Sequence, residues 1–412
     1  MSAEVTRVLG ARAQDKTTHV SLFQFADSSQ SICVFIKRTY ELRRGELMSR
    51  SELGEFPLFH SPVLDDEGEG GEALFEVTTH ECDIVPRKLA TDIVVHGSAK
   101  APGGRAVESM PVGVQVGATR KWVRVSGDRR VRLSRRGSPV FDRPAPFCEM
   151  PITWRRAFGG LDPLVPLLGS RSEHTEPTGM RGLLSLLDPE QHPGCYPPNP
   201  AGTGWAPSRD SRLVDGMRLP NIQTIGDELT PDRLLRLDTQ RWATAPAPAG
   251  FGWVSQTWFP RSTMLGIGLP GIDQPGIDQE LSGVPTAAPD EPPPLHFFNG
   301  ASRGLCGELL LGGERVVLSG FHGAGVFQTA LPERGPDIQV ALRRQRIDTA
   351  TALHTVELYP DFDVATLLWV ARARPPQRLP QRLPLGDVSK YALLEDVDVT
   401  VDGVPLSREL IG

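Results

Sequence analysis

The sequence has no apolar run approaching the ~20 residues that a membrane-spanning helix needs. Met1–Lys16 carries mixed charges and no apolar stretch, so a cleaved secretory signal is not expected. Paired cysteine spacings are missing too. Cys33, Cys82, Cys148, Cys195 and Cys306 are scattered and odd in number. That fits reduced thiols in a cytoplasm better than a disulfide framework. Helical periodicity is scarce. The 42 glycines and 38 prolines form about a fifth of the 412 residues, against roughly 12% in an average chain. Both destabilise helix interiors, which argues against a helical bundle and a coiled coil. The share stays below the roughly 25–30% of low-complexity chains, so the protein folds, with many turns. Excess positive charge is absent as well. A net charge of −6 does not fit a general nucleic-acid binder.

Signatures of catalysis are equally sparse. There is no Walker-type phosphate loop and no Gly-x-Ser-x-Gly elbow. Gly266, Gly268 and Gly271 match the dinucleotide-binding pattern in letters. Pro270 inside it and Pro275 after it prevent the helix start that would aim amides at a pyrophosphate. His80 and Cys82 stand two apart in a candidate strand and would share a face. His96, Cys148 and His192 supply no second paired spacing to complete a tetrahedral set. No metal, no cofactor and no enzymatic activity are therefore expected. A hydrolase using a Cys–His pair that meets in space is the alternative, because such partners need not be neighbours in sequence.

What is present reads as β structure at both ends. In Ser31–Leu42, Ile32, Val34 and Ile36 share one parity while Cys33 and Phe35 fill the other. That predicts a strand covered on both faces. Val112, Val114 and Val116 alternate with Gly113, Gln115 and Gly117, and a turn near Ala118-Thr119 leads to Trp122–Ser126. This is a hairpin pattern. Leu74–Thr78, Asp92–Gly97, Val326–Ala330, Ile338–Leu342, Thr355–Leu358 and Ala365–Arg372 are further strand candidates. Glycine turns predict hairpins at Gly312-Gly313 and Asp402-Gly403. The middle, 144–294, is dense in proline and glycine. Its best helix candidates are Arg181–Leu187 and Pro231–Trp242, the latter with Thr230 as N-cap. Two short duplications, Pro270–Gln279 and Gln377–Pro384, read as tolerant exposed loops. The fold expected is mainly β, with packed antiparallel sheets, long irregular loops and one or two short helices. Its β regions, 1–143 and 295–412, and its loop region, 144–294, would form one composite domain.

Arg120, Lys121, Arg124, Arg129, Arg130, Arg132, Arg135 and Arg136 crowd one stretch; Asp65, Asp66, Glu67, Glu69 and Glu72 crowd another. Both read either as solvated rims or as surfaces that steer a partner protein. Aromatic residues then recur beside Gly, Pro, Asn and Arg: Trp154, Arg155, Arg156 and Phe158; Asn199 and Trp205; Asn221; Phe251, Trp258 and Arg261; Phe297, Phe298 and Asn299. Rings beside glycines suggest packing onto bare backbone. Such clusters either anchor loops or offer a partner platform.

In their order, these clusters resemble a bacterial family of domains of unknown function encoded beside type VI secretion spike genes. The resemblance begins at Phe35–Leu42 and Pro86–Gly97 and includes the tripeptide Gly127-Asp128-Arg129. It continues through Thr153–Gly160, Asn199–Trp205, Leu219–Ile222 and Pro248–Arg261 to Phe297-Phe298-Asn299. It implies a cytoplasmic, non-enzymatic adaptor or chaperone that helps load a toxic effector onto the VgrG spike or its PAAR tip. Its partners would be proteins, not nucleic acid or membrane. A structural component of the secreted particle is the remaining alternative.

Overall fold

The computed structural model describes residues 5–25, 28–52, 54–68, 71–162, 194–207, 213–237, 242–265, 294–376, 394 and 396–406. The predicted helix Arg181–Leu187, both duplications and the Gly266–Gly271 pattern lie outside them. The molecule is mainly β, built from several antiparallel sheets. The largest sheet runs Val5–Asp15, Thr18–Phe25, Gln30–Glu41, Val364–Ala373, Thr349–Tyr359, Asp92–Val95. Its centre joins the two ends of the chain, with Ile36 opposite Trp369 and Val34 opposite Ala371. Its edge strand Asp92–Val95 is parallel to Thr349–Tyr359. A second, five-stranded sheet runs Ile222–Thr224, Thr119–Ser126, Ser109–Val116, Arg315–His322, Gly325–Ala330. A third contains Ile338–Leu342 and Val397–Val401.

Packing follows the apolar pattern. Ile32, Val34 and Ile36 pack with Ile338, Val340 and Val397 of the third sheet. Cys33 and Phe35, on the other parity, pack with Phe23, Phe25, Leu368 and Val370. Both faces of Gln30–Glu41 are thus covered, as its sequence predicts. The main core lies between the large sheet (Val356, Leu358, Leu367) and the second sheet (Val112, Val114, Val116, Val316, Leu318), and it includes loop aromatics of the middle region. The predicted hairpin at Val112–Ser126 forms, with Val116 paired to Thr119 across Gly117-Ala118. Trp122 lies opposite Gly113, where a Cβ would come within 2.4 Å of the indole. Only a bare backbone accepts that ring.

Three expectations need correction. The Gly312-Gly313 hairpin does not form. The Glu314 carboxylate takes the amides of Leu311 and Gly312, at 2.7 and 2.9 Å, and the Leu310 amide goes to Thr91 Oγ1. Arg315–His322 pairs instead with Gly325–Ala330 and Ser109–Val116. The helix predicted over Pro231–Trp242 spans only Pro231–Leu234, with Thr230 Oγ1 accepting from the Arg233 amide at 3.2 Å. Trp242–Thr244 forms a separate 3-10 turn. Finally, His80 and Cys82 do not share a strand face. The strand Gly71–His80 ends at His80, and the Cys82 thiol donates to the His60 carbonyl oxygen.

Candidate functional site: an arginine groove over aromatic-pinned loops

The sequence-predicted aromatics are mostly interior. Trp154, Phe158, Trp205, Phe251, Trp258 and Phe297 are buried, and Phe298 is half-buried. Trp154 stands in the 3-10 turn Trp154–Arg156, edge-on to Trp258, and donates Nε1–H to the Trp253 carbonyl oxygen at 2.7 Å. Its ring lies on Gly250 and Gly252, where an added Cβ would stand 3.2 Å away. Phe158 meets Tyr196 and Trp205 in a second aromatic core within the middle region. Asn199, fully buried, clamps the two groups together. Its Nδ2 donates to the Trp154 and Phe158 carbonyl oxygens at 2.9 and 3.1 Å. Irregular chain has few ladder hydrogen bonds, and these side chains take over that role.

Arg261, Phe297 and Asn299 belong to a different junction. Buried Arg261 pairs with Glu81, donates to the Phe297 carbonyl oxygen and lies over the Phe297 ring. Asn299 donates to the Ala90 carbonyl oxygen at 2.8 Å and accepts from the Leu89 amide at 3.1 Å. Phe251 packs on Phe321 beneath the second sheet. These residues tie loops to sheets and do not meet the groove described next.

Arg155, Arg156 and Asn221 do reach a surface. A groove of about 1170 Å³ runs past them, lined also by Arg129, Arg130, Arg132, Arg143 and Arg218. Among its lining residues, Asp128 and Asp142 are the acids. Arg132 Nε lies 2.7 Å from Asp142, and Arg156 Nη1 lies 3.4 Å from Asp128. Such exposed pairs are worth about 0–1 kcal/mol and are readily exchanged for a partner's carboxylates. Asn221 braces the floor, donating to the Ser126 carbonyl oxygen and Asp128 while accepting from Arg156. Arg129 lies over Phe141, and its Nε is buried with no hydrogen-bond partner. Arg155 is spent differently: it donates to the carbonyl oxygens of Phe75 and Asp65 at 3.1 and 2.8 Å. Other members of the predicted basic cluster lie elsewhere. Arg124 pairs with Glu228, and Lys121 donates to Ser302 Oγ.

A buried ionic network went unread in the sequence. Lys37 Nζ lies 3.0 Å from Asp83 and 3.4 Å from Glu357, all three buried. Glu357 Oε2 also accepts from Tyr359 and Thr366, and Oε1 accepts from Trp253 Nε1 at 3.0 Å. Burial opposes the Glu357 charge, but Lys37 and the flanking His80 and His96 rings hold it well below the usual carboxylate range. His80 Nδ1 and His96 Nε2 lie 3.3 and 3.5 Å from Oε1. The available signal was a lone Lys and a lone Glu inside apolar strands, which demand partners.

No curated protein and no solved structure matches the chain. One family does match, over residues 27–370, from just ahead of strand Gln30–Glu41 into strand Val364–Ala373. That match takes in the central strand pair, the second sheet, the aromatic clusters and the groove, so the chain belongs to the bacterial family described as "uncharacterized protein conserved in bacteria" (DUF2169).

Proposed function

We propose that the chain is a non-enzymatic adaptor or chaperone that holds an acidic segment of a partner protein in the arginine groove. By the resemblance of its motifs, the partner is a toxic effector or a type VI spike component, VgrG or PAAR, met in the cytoplasm. The observation that carries the reading is the groove itself: among the described residues that line it are seven arginines and two aspartates, on a chain whose net charge is −6, with Arg143 and Arg155 paired to Glu108 and Asp65 besides. Local charge of the sign opposite to the whole steers and orients a protein partner. The rings that hold its walls are buried, so the wall is prearranged and little is lost in ordering it on binding. Two of the thiols are poorly suited to the Cys–His alternative. Burial pushes Cys33 and Cys195 up to about 12, the reverse of nucleophile activation.

Co-expression with the products of the neighbouring genes, followed by size-exclusion chromatography, tests this. The expected result is co-elution with one of those products, lost in the double variant Arg130→Glu/Arg132→Glu. Co-elution with none of them, or co-elution indifferent to the double reversal, would sink the proposal.

A further inference from the structure

Three side chains from three separate elements converge beside the buried network. His80 ends the strand Gly71–His80, His96 follows the strand Asp92–Val95, and Glu357 lies in Thr349–Tyr359. The parallel register sets Val95 beside Leu358, and the His96 amide donates to the Leu358 carbonyl oxygen, which brings His96 to Glu357. One ring nitrogen from each histidine and one carboxylate oxygen lie within 4.8 Å of one another. We propose that His80, His96 and Glu357 form a binding site for a divalent transition-metal ion, with zinc-type donor chemistry.

Five observations bear on this beyond proximity. The donor set, two imidazoles and one carboxylate, is of the kind that holds Zn²⁺ with a fourth position open. His96 Nε2 is buried, stands 3.5 Å from the Glu357 carboxylate and has no well-aligned hydrogen bond among the described residues. The Glu357 carboxylate is fixed by its partners: Lys37, Tyr359 and Thr366 are on Oε2, while Oε1 accepts from Trp253 Nε1 and is the oxygen near both histidines. Outer contacts of this sort fix and tune metal ligands. The rings are held as well, His80 stacked on Phe59 and His96 stacked on Tyr359. A cavity of about 250 Å³ borders the cluster on the His96 side, with Trp154, Arg155 and Gly250–Gly252 also in its wall, while His80 and Glu357 do not line it. An entering ion displaces any proton on the coordinating nitrogens, so uptake releases protons. It ties the hairpin end, the edge strand Asp92–Val95 and its neighbour Thr349–Tyr359 together.

The full chain, carrying no histidine tag, is titrated with Zn²⁺ by calorimetry and with Co²⁺ by visible absorption. The expected result is one ion per chain, a raised melting temperature with Zn²⁺, and an affinity at least a hundredfold lower in His96→Ala and in His80→Ala. His322→Ala, whose ring pairs with Asp363 elsewhere, should bind like the parent. X-ray absorption on the Co²⁺-loaded parent chain keeps the idea testable should either variant misfold. It should show a nitrogen/oxygen shell containing two imidazoles. Absence of binding, binding unchanged in both histidine variants, or a sulfur-containing shell would overturn the proposal.

Discussion

Lys37 sits in a strand whose neighbours Ile36 and Phe35 are fully buried, and it is itself 2% exposed. A charge so placed persists because Asp83 and Glu357 surround it. Taking it away leaves two buried carboxylates uncompensated. Lys37→Met should therefore cost about 3–5 kcal/mol, the usual consequence of breaking a buried pair from one side. Urea unfolding measures this, and a loss below about 1 kcal/mol would show that water reaches the network. His19 gives a prediction in pH. Burial, with neighbouring His60 second, pushes its pKa down to about 4, and its Nε2 lies 2.6 Å from Ser21 Oγ. In the unfolded chain a histidine titrates near 6.5. Between those values the unfolded state binds the extra proton, so stability rises with pH there. The contribution is complete above about 6.5 and fades as pH falls toward about 4. Melting temperatures across that window should decline on acidification, and the decline should be shallower in His19→Gln. Buried His354, also shifted downward by burial, leaves part of the slope in that variant.

At the scale of elements, the turn Trp154–Arg156 joins sheet core to loop layer. Trp154→Ala removes a buried ring and its bond to Trp253, and should cost ~3–5 kcal/mol. Arg155 and Arg156 should behave differently from each other. Arg155→Ala strips donors from the Phe75 and Asp65 carbonyl oxygens and should lower the melting temperature. Arg156→Ala faces the groove and should weaken partner binding with little thermal loss. Equal thermal losses in the two would contradict this division. The strands were legible wherever alternation or a continuous apolar run was present: Ile338–Leu342 matches its expected limits, and the hairpin expected at Asp402-Gly403 forms, with Val401 paired to Val404. The turn at Gly312-Gly313 was misread because a side chain, Glu314, satisfied the local amides before a partner strand could. Thr18–Phe25 and Val5–Asp15 had no expected counterpart. Thr18, His19, Ser21 and Gln24 interrupt the apolar pattern there, although Thr18, His19 and Ser21 are buried. The His80–His96–Glu357 grouping depends on the parallel pairing of Asp92–Val95 with Thr349–Tyr359, across more than 250 residues. No local spacing encodes such a contact. The groove was half legible: the arginines near Arg129–Arg132 stood out, but Arg155, Arg156 and Arg218 join them only through the fold.

Across the whole molecule, the central strand pair Gln30–Glu41 and Val364–Ala373 comes from opposite ends of the chain. A fragment 1–294 lacks Thr349–Tyr359 and Val364–Ala373, and with them much of the main core. It should show no cooperative unfolding in circular dichroism, whereas a cooperative transition would mean that the first two regions fold without the third. All five cysteines are unpaired. Alkylation of the denatured, unreduced chain should accordingly modify all five, and protection of two would indicate a disulfide. The central claim is that groove charge holds a protein partner on a rigid wall. The most direct measurement is the affinity of the co-eluting partner for the parent chain and for Arg130→Glu/Arg132→Glu, at two salt concentrations. Expected are a double variant that stays folded with a modestly lower melting temperature, because Arg130 gives up its bond to the Gly216 carbonyl oxygen and Arg132 its pair with Asp142, an affinity reduced on the order of tenfold or more, and a shallower salt dependence. Equal affinities with equal salt slopes in the two proteins would contradict the claim.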